Sequence, residues 1–443
     1  MQTRTLRRVS RYRWPLAISG ILLITAVFSL PPLVDVATAG SPLSANLRTP
    51  VLYDLFAPIS NVLDAFTLLS PAQYAATFVI CAICFVATTS IGQLRTSGRL
   101  SAARSARSAA GFLGGTIGVA GIMLVALRPM ASLELNDHDL IAVDFHSHTE
   151  ASHDGRAGFT AERSREWHRS AGFDAVYVTD HQTFDGALGA VKGNPTLAAE
   201  GPVLLPGVEL RDGDEHLILI GVDPRRMKIS SPDWEVAAVA ADGGPAPPIL
   251  LLSLPGDVLR IPPAEIHGPI KLAGIEASDG CPRGLAQAAT QRDSILAISA
   301  RLGVALVSGS DNHGWGRAAP AWSVLRIPDW RTKTPAQLDI AIRQTLLARG
   351  AGAVQVIARR TAAPPHNAIQ SALGGLSVAL VMARTLSSKD RVSWVAWSWM
   401  LCFVSLRRAR TNRDRRRGAA NVRPRKRSRT PPIDVAAAMS RAS

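Results

Sequence analysis

Along the middle of this 443-residue chain, histidine and carboxylate residues recur at the ends of apolar runs. The first group is Val143-Asp144-Phe145-His146-Ser147-His148-Thr149, followed by Ser152-His153-Asp154-Gly155. The second is Val178-Thr179-Asp180-His181, the third Gly207-Val208-Glu209, and the last Ser308-Gly309-Ser310-Asp311-Asn312-His313. Side chains alternate along a strand, so His146 and His148 project to one side, as Asp311 and His313 do. Mixed imidazole and carboxylate donors suit divalent Zn, Mn or Fe better than Ca. No Ser or Cys nucleophile need be invoked, and no phosphate-cradling P-loop is present. Cys81 and Cys84 form a CxxC inside an apolar run and read as small helix residues, Cys281 and Cys402 stand alone, and no disulfide framework is implied.

The elements that must position these groups are legible as α/β alternation. Strand-like runs occur at 141–145, 175–179, 203–210, 216–222, 249–254, 272–277 and 304–308, several separated by helical segments. Seven strands are compatible with a barrel, whose catalytic groups gather at the C-terminal strand ends. Thr160 is placed to cap a helix running to Ala171 with Gly172 beyond it, and Thr334-Pro335 opens another that closes at Gly350. Residues 243–248, dense in Gly and Pro, read as a loop.

Taken together, HSHTEASHDG (146–155), VTDH (178–181), GVE (207–209), HLILIG (216–221), GIEASDG (274–280) and GSDNH (309–313) resemble the PHP family, named for polymerase and histidinol phosphatase. The resemblance implies a metal-dependent phosphoesterase on a distorted seven-stranded βα, TIM-like barrel, here flanked by transmembrane helices. It covers about half of the chain. Carried over by position, it implies that His146, His148, Glu209 and Asp311 hold one metal. Glu209 would bridge to a second that His216 also binds, and Asp154, His181 and His313 would hold a third, with His153 an alternative to Asp154. Glu209, Asp311 and His313 are the implied catalytic residues, and water activated between two or three ions (Zn, Mn or Fe) the nucleophile. Arg156 and Arg317, near the ligands, are candidates for the substrate phosphate. One departure stands out: where the family has Ala-His-Pro, this chain reads Ser253-Leu254-Pro255, and His267 lies too far along to substitute. That leaves a second reading, a metal-binding module without turnover that serves as a membrane-tethered sensor or scaffold. His168, among Arg and Glu, reads as part of a solvated helix face, and His138 and His366 carry no assigned role.

The net charge of +15 is concentrated in three runs, before Trp14, between Arg95 and Arg107, and between Arg407 and Arg429. The middle of the chain is not basic, so nucleic acid is not expected as a stable partner. The expected partners are a small phosphorylated substrate or lipid headgroup, and a membrane. Apolar stretches at 14–30, 66–93 and 109–127 are expected to span it, with 51–69, which carries Asp54 and Asp64, at the interface. The expected organisation is a membrane region over 1–139, the metallohydrolase over 140–362, a membrane-associated segment over 363–406, with apolar pieces at 367–383 and 392–406, and a basic tail over 407–443. Arg-rich loops favour the cytoplasm, which places the metal domain outside it.

Overall fold

The structure is a computed structural model that describes residues 12–125, 128–212, 215–227, 229, 245–254, 256, 270–365 and 367–421. His267, His366, part of the 243–248 loop and most of the basic tail lie outside the described residues. The chain divides into one unit over Ile21–Ser393 and a smaller one formed by Met1–Gly20 with Trp394–Ser443. In the smaller unit Tyr12 stacks on Trp399, with ring centroids 5.9 Å apart.

The larger unit carries twelve strands among the described residues: β1 (Leu33–Asp35), β2 (Ala45–Arg48), β3 (Ser132–Leu135), β4 (Leu140–Ser147), β5 (Ala175–Val178), β6 (Val203–Asp212), β7 (Glu215–Ile220), β8 (Ile249–Leu252), β9 (Lys271–Ser278), β10 (Ala305–Ser308), β11 (Ala321–Arg326) and β12 (Val354–Arg359). Ten form one sheet in the order β1-β12-β11-β4-β5-β6-β7-β8-β9-β10, while β2 pairs with β3 alone. The run from β4 to β10 contains all seven strands read from the sequence. It does not close as the expected seven-stranded barrel; the sheet has ten strands and curls into a half-barrel.

The reason lies on β4. Its first half is hydrogen-bonded to β11, from Leu140 opposite Arg326 to Val143 opposite Ser323. Only its last residues meet the end of β10: Ser147 bridges Asn312, Asp311 N donates to His146 O at 2.9 Å, and His148 N donates to Asn312 O at 3.3 Å. That seam brings the first and last His-bearing motifs side by side. β1 pairs with β12, so residues well ahead of position 140 add an edge to the same sheet.

Both sheet faces are covered, which is why the strands read as continuous apolar runs. Ile141, Val143, Tyr177, Leu205 and Ile218 share one cluster with Leu338, Ile342 and Leu346 of helix Pro335–Arg349. Val176, Leu204, Leu219 and Leu306 share the other with Trp167 of helix Ala161–Ala171 and Ile295 and Ile298 of helix Arg292–Leu302. The two anticipated caps are present. Thr160 accepts from Arg163 N, with Gly172 in the left-handed region at the far end, and Thr334 forms a capping box with Gln337.

The buried start of β5 gives a pH prediction. Asp174 accepts from Ala142 N at 2.9 Å, and burial pushes its carboxyl up to about 6, against about 3.9 unfolded. A raised carboxyl pKa means that the folded chain binds the extra proton, so this group's contribution to stability is greatest below about pH 4 and falls as pH rises to about 6. The cost is on the order of 3 kcal/mol. Asp174→Asn is expected to flatten this slope and to melt higher than wild type at pH 7, measured by thermal denaturation in detergent.

Of the three N-terminal apolar stretches, one forms a helix both long and apolar enough to cross a membrane, Pro71–Ser97. The first yields only the 15-residue helix Arg13–Val27, and the described part of the third lies within Ala102–Val125, whose first turns carry Arg104 and Arg107. Residues 51–69 break at Phe56 into two helices, Val51–Leu55 and Ala57–Thr67. Asp64 is turned inward rather than to an interface. It is 1% exposed and accepts from Arg359 at 2.7 Å, Arg128 at 3.1 Å and Tyr53 Oη at 2.9 Å. The C-terminal apolar pieces become helices Ala368–Thr385 and Ser388–Asn421. Gly374 and Gly375 let the first of these approach Pro71–Ser97 closely, since a Cβ on Gly375 would stand 2.3 Å from Ile80 Cγ2.

Candidate metal centre

The site is built at the strand ends beside the seam. His146 lies on β4 and His148 just past it, Glu209 on β6, His216 on β7, His181 after β5, and Asp311 and His313 after β10. Glu209 is the hub. Its Oε2 lies 3.1 Å from His146 Nε2, 3.3 Å from His148 Nε2 and 3.0 Å from His181 Nδ1, while its Oε1 lies 2.5 Å from His216 Nδ1. Asp311 Oδ1 stands 3.1 Å from His148 Nε2 and 3.3 Å from His313 Nδ1. Asp154 closes the group from the β4 turn, 3.1 Å from His313 Nε2 and 3.5 Å from His181 Nε2. All eight sequence-derived ligand candidates therefore share one cluster. His153 stands at its exposed edge, 4.0 Å from Asp154 and with its ring centre 5.0 Å from that of His181, and with those two residues it offers a further group close enough to share an ion. Asp311 is a non-glycine residue in the left-handed region (φ 44°), a strain found where surrounding structure fixes a functional group.

The donor set fits divalent cations. His146 Nε2 and His148 Nε2 face each other at 3.0 Å, both aimed at Glu209 and Asp311. Burial opposes protonation of these imidazoles, yet the surrounding carboxylates raise His146 well above its ordinary value and His148 to about 9. Burial also opposes ionisation of the acids, but His146 and its neighbours hold Glu209 well below the usual carboxylate range and Asp311 at about 2. The cluster thus demands positive charge at its centre, which protons or cations can meet. His313 is pushed down to about 4 by burial and the His148 charge, and its buried Nε2 makes no hydrogen bond. Groups such as His146–His148–Glu209, His148–His181–His313 and His181–Glu209–His216 have ligand atoms close enough to share an ion.

Behind the cluster lie residues that the motif reading left without roles. Glu276 Oε1 stands 3.1 Å from His146 Nδ1, and Glu276 Oε2 accepts from Ser253 Oγ at 3.0 Å and Leu254 N at 2.7 Å. With Nδ1–H directed at Glu276, the His146 Nε2 lone pair faces the centre, the arrangement that orients metal-bound histidines. Asp279 Oδ2 is 3.6 Å from the same Nδ1, and burial raises that carboxyl well above its ordinary value. The signal available was a carboxylate inside an apolar strand, Gly274-Ile275-Glu276-Ala277. His168 corrects an expectation: it is fully buried, not solvated, with Nε2 2.8 Å from Asp144 Oδ2. Asp144 Oδ1 in turn accepts from His146 N and Ser310 N, tying the two sides of the seam. Ser164, His168 and Ala171 lie at i, i+4 and i+7, so a buried stripe was present in the sequence.

Arg156 sits at the rim. Its N donates to His313 O at 2.9 Å and its guanidinium lies 5.0 Å from the Trp315 ring centre, while Arg317 is nearly buried. Gly309 lies under His146: an added Cβ would meet His146 Cβ and Glu276 Oε1, each at 2.3 Å. Gly309→Ala is therefore expected to displace His146 and weaken metal binding by about 10–100-fold, the range for lost orienting partners. Titration of the metal-stripped chain by calorimetry checks it.

An α/β half-barrel with a His/carboxylate cluster at its strand ends defines the chain as a protein with a candidate divalent-metal centre. No family model and no curated protein matches the sequence. Solved structures similar to it include PsfC from Pseudomonas syringae, 16% identical over 55% of this chain and 98% of that one, with TM-score 0.34. A putative metal-dependent phosphoesterase from Bifidobacterium adolescentis is 21% identical over 47% and 96%, with TM-score 0.29. The lesion-specific endonuclease EndoQ from Pyrococcus furiosus is 14% identical over 49% and 57%, with TM-score 0.36.

Proposed function

We propose that this chain is a membrane-associated, divalent-metal-dependent phosphoesterase. The observation that carries the reading is Glu209, one buried carboxylate whose two oxygens face four imidazoles, a geometry suited to bridging two ions. His146, His148, Glu209 and Asp311 would hold one ion, Glu209 and His216 a second, and Asp154, His181 and His313 a third. When bound, such ions supply Lewis acidity toward a phosphoryl oxygen and toward water. The chain's own residues do the rest. Glu276 fixes the His146 tautomer, Asp311 orients His148 and His313, and Arg156 and Arg317 offer guanidinium groups to the phosphoryl oxygens.

The test is metal analysis of the purified full chain together with hydrolysis of phosphate monoesters, diesters and nucleotides in Mn²⁺ or Zn²⁺. A metal-loaded chain inert to the whole panel would favour the second reading, a metal-binding sensor or scaffold. The observation on that side is Leu254, which stands where the Ala-His-Pro of the resembled family has its histidine; it is buried and apolar and brings no further imidazole to the His216 side.

Membrane association is supported by Pro71–Ser97 and by the exposed Phe78, Ile83, Val86, Leu113, Ile117 and Ile122 along it and Ala102–Val125. The two helices are joined at Gly98 by a turn flanked with Arg95, Arg99, Arg104 and Arg107. Before them β1 pairs with β12, and after them β3 pairs with β2, so the chain enters and returns on the domain's side. An Arg-rich turn on the cytoplasmic side puts the metal domain outside. A fluorescent reporter that matures only in the cytoplasm, fused at Ala362, is expected to stay dark; a bright fusion would reverse the placement.

A further inference from the structure

The register of the sheet fixes which of its ends meets the apolar helices. Val143 of β4 stands opposite Ser323 of β11, Ala321 opposite Ala358 of β12, and Arg359 opposite Leu33 of β1, so Arg359 and Leu33 lie at the end where β4 delivers His146. From that end the chain continues past Ala362, whose carbonyl accepts from Gln73 Nε2, into helix Ala368–Thr385. Helix Pro282–Thr290, which follows the end of β9, lies against Pro71–Ser97. The metal cluster and the membrane-length helix therefore share one end of the half-barrel. Helices Val51–Leu55 and Ala57–Thr67 sit there too, with inverted polarity. Inward they turn Tyr53, Asn61 and Asp64: Tyr53 Oη donates to Asp64 at 2.9 Å, Asn61 Nδ2 donates to Tyr53 Oη at 3.3 Å and to Asp390 at 3.4 Å, and Asp64 pairs with Arg359 at 2.7 Å. Outward they turn Val51, Leu52, Leu55, Phe56 and Ile59, which are 40–81% exposed. Helices facing water hold polar groups outside and apolar ones inside; helices facing hydrocarbon do the reverse.

We propose that the outer face of Val51–Thr67 is immersed in the lipid leaflet that borders the metal domain, with the metal-bearing end of the sheet turned toward that leaflet. The proposal rests on the membrane reading above. Lipid is the occupant because the face is continuous with the helix long and apolar enough to cross a bilayer. Helix Ala368–Thr385 packs on Pro71–Ser97 and on Ala57–Thr67, and it leaves Ile369, Leu373, Leu376 and Leu380 exposed at i, i+4, i+7 and i+11. Beside Leu55, whose carbonyl accepts from Ser393 Oγ at 3.0 Å, Val392 is exposed as well. Lys389, 3.7 Å from Asp54, sits next to this apolar surface, where a cation suits the headgroup layer.

The test places a nitroxide on one introduced cysteine at a time in the full chain in phosphatidylcholine nanodiscs, with the exposed Cys81 and Cys84 replaced by Ala and the chain without an introduced cysteine as background. The readout is the ratio of collisions with lipid-dissolved oxygen to collisions with an aqueous nickel chelate. At Leu55→Cys and Ile59→Cys this ratio is expected to exceed by about tenfold that at Arg301→Cys, exposed ahead of β10 at the opposite end of the sheet. Leu52→Cys stands in for either variant that does not fold. Aqueous ratios at 55 and 59 would overturn the immersion, and shielding from both collision partners would overturn lipid as the occupant in favour of a second protein surface. A label at Val86→Cys on Pro71–Ser97 separates the two readings: lipid there with water at 55 and 59 rejects the immersed face alone, whereas water at all three rejects the membrane reading with it. Orientation is read by energy transfer to a headgroup-labelled acceptor. Strands rise about 3.3 Å per residue, so the two ends of the sheet stand about 20 Å apart, and a fluorophore at Trp315→Cys is expected to transfer about twofold or more over one at Arg301→Cys. Equal transfer would overturn the orientation of the metal-bearing end.

Discussion

Glu209→Gln, loaded with Mn²⁺ or Zn²⁺, is expected to lose more than about 100-fold in phosphoesterase kcat, beyond the range seen when only an orienting partner of a ligand is removed. The two side chains have the same shape, so the change tests charge rather than packing. Wild-type Glu209 offers acceptor oxygens to His146, His148 and His181 on one side and to His216 on the other. Gln must turn its NH₂ toward one of those groups, leaving an imidazole facing a donor and removing the charge that two cations would share. The expected result is lower metal content and, because the imidazoles lose the charge they are paired with, a lower melting temperature in the metal-free chain. Wild-type kcat in a chain that keeps its metal would remove Glu209 from its bridging role.

His146 with His148 was legible because alternation along β4 gives them a shared face wherever the strand goes. Asp311 and His313 lie beyond the end of β10, with Asp311 in the left-handed region, so strand alternation does not explain their convergence; they and the remaining ligands were legible through the motif resemblance. Their partners were harder to read. Glu276 matters only because β9 lies beside β8 and places it behind His146, a neighbourhood that arises from sheet order. Ser253 follows the same logic.

The seven barrel strands stood out as apolar runs, whereas β11 and β12 were not among the runs read as strands, and their pairing with β4 and β1 is long-range. That missing pair decides the topology, because β11 takes the edge of β4 that barrel closure requires. The apolar N-terminal stretches show a different limit. Hydropathy located helices, but the inward turn of Asp64 depends on Arg128 and Arg359, far away in sequence.

Two double substitutions test the ligand assignment on both sides of the seam. His146→Ala with His148→Ala removes two imidazoles that the surrounding carboxylates hold well above their ordinary pKa, His148 at about 9. Glu209, Glu276 and Asp311 would then face one another in a buried space with less counter-charge. Breaking a buried ion pair on one side typically costs about 3–5 kcal/mol, so the metal-free variant should melt clearly lower than wild type. Asp311→Ala with His313→Ala removes one acid and one imidazole together, and His313 is pushed down to about 4, so it carries no charge near neutral pH. Asp311 is held at about 2 by the same imidazoles, so its loss also leaves buried charge with less compensation, and the metal-free chain should melt below wild type as well. Both variants strip ligands from the same centre, and both should lose bound ions when metal is counted by mass spectrometry after dialysis. Full metal content in both double variants, with the fold intact by circular dichroism, would sink the ligand assignment.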